Sequence, residues 1–135
     1  MEKVHLEFKN AGLNFDEYDW VQVSKTDLFY NSVLDSPGIY MFTGNVKDRS
    51  VLYIGRSSCV SGRLKGHPVH LILTKLEIEF NVHVLYCRKG QEAVIENFLL
   101  GSLNPLLNTA RKHPYVSLQK PITAKMFPSN GKAIY

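Results

Sequence analysis

Cysteine is scarce in this chain. Cys59 and Cys87 are too few and too widely spaced for a disulfide framework or a paired zinc knuckle. Both read as partly buried small side chains. No apolar run approaches the roughly 20 residues that cross a bilayer. The first residues, Met1-Glu2-Lys3-Val4-His5, alternate charged and apolar types and lack the apolar stretch of a secretory signal. These absences give the expectation of a cytoplasmic protein with no membrane partner. Internal repeats and low-complexity tracts are also missing, which excludes a solenoid or a linker-rich chain. Acidic side chains stop at Glu96, while Arg111, Lys112, Lys120, Lys125 and Lys132 follow it.

What is present is an ordinary globular balance, 44% hydrophobic and 21% charged, and the 135 residues suit one domain. Charge is unevenly spread. Residues 1 to 35 carry three lysines against seven acids, a net of −4, so with an overall +4 the remainder nets +8. A positive surface concentrates a polyanion and speeds its capture. A merely well-solvated basic surface has the same composition, so charge alone decides nothing.

Val4, Leu6 and Phe8 alternate with His5, Glu7 and Lys9, which predicts a strand, and Trp20 to Val23 predicts a second. Ser24 can cap a short helix reaching Leu34, which Asp35-Ser36-Pro37-Gly38 ends. Residues 1–35 are expected to form an N-terminal appendage. From Gly38 the pattern predicts a strand to Thr43, a polar turn from Gly44 to Ser50, and a returning strand from Val51 to Gly55. A helix is expected from about Ser58 to Leu76, kinked or broken at His67-Pro68 because an interior proline costs ~3 kcal/mol. Phe80 to Tyr86 predicts a third core strand. A helix follows from Gln91 to Leu103, with Ala93, Val94, Phe98, Leu99 and Leu100 available for its buried side, and Pro105 ends it. The fold class is α+β: a small three-stranded antiparallel sheet flanked by helices. Residues 110–135 are expected to pack on the core as a basic tail.

Gly38-Ile39-Tyr40 is followed by Tyr53-Ile54-Gly55, then by Ser57, Arg63-Leu64 and His67; further on, Glu96 precedes Pro105 and Asn108. In these elements and their order, residues 36–109 resemble the GIY-YIG nuclease family. The resemblance implies the GIY-YIG nuclease fold and a metal-dependent endonuclease. Such an enzyme hydrolyses DNA phosphodiesters and leaves 5′-phosphate and 3′-hydroxyl ends. It implies that Arg63 binds the scissile phosphate, that Glu96 is the sole protein ligand of Mg²⁺ (for which Mn²⁺ can substitute), and that Tyr40 and Tyr53 lie in the active site. Asn108 is implied to sit near the active centre, bonding backbone.

The residue chemistry agrees with those roles. A nuclease must neutralise charge on the phosphorane-like transition state, activate water and assist the leaving oxygen. Arginine offers a planar, permanently charged fork for phosphate oxygens. Four-residue spacing on a helix would put Arg63 and His67 on one face, about 5–6 Å apart at Cβ. Tyr40, as a phenol, is a weak base unless cations assist it, and His67 suits neutral pH better, so either can be the general base. Glu92, one turn before Glu96, is a competing acid, but only Glu96 has proline nine positions on. Arg56, Ser57, Lys65, Arg111 and Lys112 are candidates for backbone phosphates. Ordinary readings stand beside each: a solvated arginine, a glutamate facing water, core tyrosines, a histidine capping a helix, a turn asparagine. The alternatives to a DNA endonuclease are a nucleic-acid-binding module of the same fold and a nuclease acting on RNA or branched DNA. A double-strand break would need two protomers, hence a possible homodimer, or two nicks.

Overall fold

The computed structural model describes residues 1–23 and 35–108. Helix α1 (Glu2–Asn10) leads through a 3₁₀ turn (Phe15–Glu17) to strand β1 (Val21–Val23). Strands β2 (Gly38–Val46) and β3 (Arg49–Ser57) follow, then helices α2 (Val60–Leu64) and α3 (Pro68–Lys75). Strand β4 (Phe80–Tyr86) and helix α4 (Glu92–Leu103) complete the described elements. The architecture is α+β, with one antiparallel sheet in the order β1-β4-β2-β3. Among the described residues the sheet therefore has four strands where three were expected, because Val21–Val23 pairs with Val84, His83 and Val82. The helix expected after Ser24 and the basic tail lie outside the described residues, as do Arg111 and Lys112.

The strand expected over Val4–Phe8 is a helix. Val4, Leu6 and Phe8 follow one another at intervals of two, the period of a strand, but Val4 and Phe8 are also four apart, one face of a helix. That face is the buried one, and Leu6 is exposed. Phe8 is fully buried among Phe15, Tyr18 and Trp20, with edge-on ring contacts at 5.2, 6.1 and 6.5 Å.

The β2–β3 hairpin is tighter than expected. Its turn is Lys47-Asp48 alone, both at positive φ (51° and 65°), between the paired residues Val46 and Arg49. Two consecutive left-handed residues match the right-handed twist of the flanking strands, so pairing continues to the tip. Further in, Phe42 pairs with Tyr53 but Thr43 pairs with Val51. Leu52 is the extra residue of a bulge, and both Leu52 and Tyr53 pack into one core cluster.

The sheet is buried on both sides. Tyr40, Phe42, Tyr53, Val82 and Val84 pack with α2 and α3 through Val60, Leu64, Val69 and Leu73. On the other face Ile39, Met41, Val51 and Ile54 meet Val4 and Phe8 of α1 and Leu99, Leu100 and Leu103 of α4. Among the described residues strand β3 is an edge, and side chains answer its outer backbone. The Glu7 carboxylate accepts from the N–H groups of Ser50 and Val51. The Asn108 amide accepts from Ile54 N and donates to Ile54 O, both at 2.8 Å.

His83 in β4 is buried and bonds Thr43 Oγ1 at 2.9 Å. Burial lowers its pKa to about 4 from 6.5. Between those values the unfolded chain binds the proton more readily than the folded one. This contribution is therefore present above about pH 6.5 and lost as pH falls towards 4, on the order of 2–3 kcal/mol in all. Urea melts at pH 7 and pH 4.5 should show that decline, and His83→Gln should flatten it. An unchanged slope in His83→Gln assigns the acid sensitivity elsewhere.

Candidate active site

Gly38 and Gly55 begin and end the motif pair because neighbouring groups occupy the space of a side chain. A Cβ on Gly38 would stand 2.8 Å from the Leu85 carbonyl oxygen. Gly55 pairs across the hairpin with Tyr40, and a Cβ there would meet the Tyr40 ring at 2.5 Å. The Tyr40 ring thus lies across Gly55, with Tyr53 stacked diagonally beside it at 6.3 Å and 25°. Gly55→Ala must push that ring aside. The expected cost is about 1–3 kcal/mol of stability with misplacement of the Tyr40 hydroxyl. A thermal melt together with the NMR shifts of the Tyr40 ring checks it; an unmoved ring refutes it.

The phenol oxygen of Tyr40 is a meeting point. Arg63 Nε donates to it at 3.2 Å, and His67 Nε2 lies 3.1 Å away. His67 Nδ1 accepts from Val69 N–H at 3.1 Å, so that nitrogen carries a lone pair. The neutral ring then bears its proton on Nε2, directed at Tyr40 Oη. Two N–H donors converge on one oxygen. His67 is buried among three aromatic rings, 5.2 Å from Tyr40, 5.2 Å from Tyr53 and 5.5 Å from Phe42. Sequence reasoning missed Phe42; its spacing of two from Tyr40 on one strand was the available signal.

One expectation about this pair is corrected. Arg63 and His67 do not share a helix: α2 ends at Leu64, and His67 is the N-cap of α3, ahead of Pro68 at its first position. They meet at Tyr40 because the break lets each helix approach the same ring.

Helix α4 brings Glu96 to the opposite side of β3. The carboxylate is fully buried, and Arg56 Nε donates to its Oε1 at 2.9 Å. The expected buried side of α4 needs correction accordingly. Val94 and Phe98 are 63% and 56% exposed, while Glu92, Glu96, Leu99, Leu100 and Leu103 face inward. A carboxylate can turn to the core because a guanidinium meets it there. Glu92 is turned instead to Gly90 N–H, at 2.8 Å.

The guanidinium of Arg63 is held more firmly protonated, first by its bond to Tyr40 and then by the fields of Tyr40, Tyr53 and Glu96. Glu96 therefore lies within electrostatic reach of the Arg63–Tyr40 pair, although the two come from opposite faces of the sheet. Of the other expected residues, Asn108 braces Ile54, between Tyr53 and Gly55. Ser57 Oγ is engaged by the N–H and carbonyl of Cys59, and Lys65 is exposed. Among the described residues no group of three or more His, Cys, Asp or Glu side chains could hold a metal ion. Among the described residues the Glu96 carboxylate is the donor this site offers a cation. A single carboxylate suits Mg²⁺, which keeps several waters and takes substrate phosphate as a ligand, and does not suit zinc.

Comparison of the chain with protein-family models, with curated proteins and with solved structures finds no match.

Proposed function

We propose that this protein is a metal-dependent endonuclease of the GIY-YIG type. It would hydrolyse DNA phosphodiester bonds and leave 5′-phosphate and 3′-hydroxyl ends. The observation that carries the reading is the convergence of Arg63 Nε and His67 Nε2 on Tyr40 Oη, where the field of the Glu96 carboxylate also helps to keep the guanidinium protonated. Such a cluster is a costly way to build a core and a suitable way to handle a phosphate and a proton.

In this reading Tyr40, not His67, is the general base. Both ring nitrogens of His67 are engaged, one by Val69 and one by Tyr40 itself. The Tyr40 phenol oxygen is the shared acceptor of Arg63 and His67. As the phenolate, that oxygen would take a proton from water, the water oxygen would attack phosphorus, and the 3′ oxygen would leave and be protonated by solvent. Arg63 neutralises charge on the non-bridging phosphate oxygens. Glu96 would hold Mg²⁺, which would supply positive charge to the phosphate in the transition state.

Supercoiled plasmid incubated with the protein and Mg²⁺ should be nicked or linearised, and EDTA should stop the reaction. A mobility shift without cleavage under any divalent ion would instead support the binding module. Labelled linear, branched and single-stranded DNA, with RNA beside them, then define the substrate.

A further inference from the structure

Arg56 offers more than a phosphate contact. Its guanidinium is bonded to the Glu96 carboxylate, and the two differ in their access to water. Glu96 is fully buried, whereas the side chain of Arg56 retains 19% of its accessible surface. A buried carboxylate needs a cation beside it, since losing its partner leaves an uncompensated charge in low dielectric. In the nucleic-acid-free protein Arg56 fills that need. A second cation approaching the same carboxylate meets the guanidinium already there, and two positive charges so close repel strongly where water is scarce. A phosphodiester changes that balance, because it gives Arg56 an alternative anion with matched bidentate geometry.

We propose that Arg56 is a resident counter-cation that holds Glu96 until a backbone phosphate draws it away, so that nucleic acid engages before the metal. The entry of substrate is thus an exchange of ion pairs. Arg56–Glu96 gives way to Arg56–phosphate and metal–Glu96, and the buried carboxylate keeps a cation throughout. By linkage, nucleic acid tightens metal binding by the same factor as metal tightens nucleic-acid binding. Arg56 acts here through Glu96, as a positioning residue. The inference rests on the nuclease reading for the role of Glu96 as metal ligand.

The test is Mn²⁺ binding to the full chain without nucleic acid, followed by the electron paramagnetic resonance of the unbound ion. Arg56→Gln, which keeps a donor but removes the charge, is expected to bind Mn²⁺ at least about tenfold more tightly than the wild type. Arg56→Lys is expected to stay close to wild type, and Glu96→Gln to abolish the site. Equal or weaker binding by Arg56→Gln overturns the proposal. The wild-type chain gives an independent reading should that variant fail to fold. The NMR resonance of Arg56 Nε–H should be protected from exchange in the protein alone and shift when a short DNA duplex and Ca²⁺ are both added. A resonance unchanged in that complex overturns the exchange. Plasmid cleavage separates this outcome from the parent reading. A chain that cuts DNA while these measurements fail loses the exchange alone. A chain that never cuts but shows the tighter Arg56→Gln site loses the nuclease assignment alone.

Discussion

Glu96→Ala is expected to lower Mg²⁺-dependent plasmid cleavage by about 10³-fold or more while duplex DNA is still retained in a mobility shift. The two effects part because the carboxylate contributes a cation site, whereas binding draws on the arginines and the basic surface. The fold should tolerate the change better than its mirror image. Losing Glu96 leaves Arg56, whose partly exposed guanidinium can turn to water. Arg56→Ala instead takes the bonded guanidinium from a buried carboxylate, at about 3–5 kcal/mol. Cleavage at the wild-type rate by Glu96→Ala removes the metal assignment, and a larger loss of Tm in Glu96→Ala than in Arg56→Ala contradicts the account of the pair.

Tyr40→Phe is the second large effect. It removes one oxygen and leaves two donors, Arg63 Nε–H and His67 Nε2–H, facing a ring edge. His67 is buried, so the loss of its Tyr40 acceptor costs about 1–3 kcal/mol. Loss of the base should slow cleavage by about 10²–10⁴-fold. Single-turnover cleavage of a labelled duplex at saturating protein isolates the chemical step from binding. If Tyr40→Phe keeps most of that rate and His67→Ala loses it, the base is the histidine and the hydrogen-bond reading of its tautomer is wrong.

The sequence disclosed the central hairpin, β4 and the outer limits of α4, because long alternating runs and helix-ending prolines leave few alternatives. It misled at Val4-Leu6-Phe8, where five residues satisfy both periodicities and only tertiary burial of Val4 and Phe8 decides. On α4 the inward turn of Glu96 was hidden, since no local pattern announces that Arg56, forty residues earlier, answers it. The candidate site was legible as a set of residues and not as a geometry. Helical spacing tied Arg63 to His67 by the wrong route; what unites them is the ring of Tyr40 lying over Gly55. Asn108 was expected to brace backbone near the site, and its double bond to Ile54 places that brace between Tyr53 and Gly55.

The side chains along the outer border of β3 have a consequence for handling the molecule. Glu7 and Asn108 occupy positions where a fifth strand would otherwise dock, one supplied from before the sheet and the other from after it. Trimming either flank would strip the plug from a ready template for intermolecular strand addition. Shortened versions should therefore precipitate or form chains of molecules even where their core still folds.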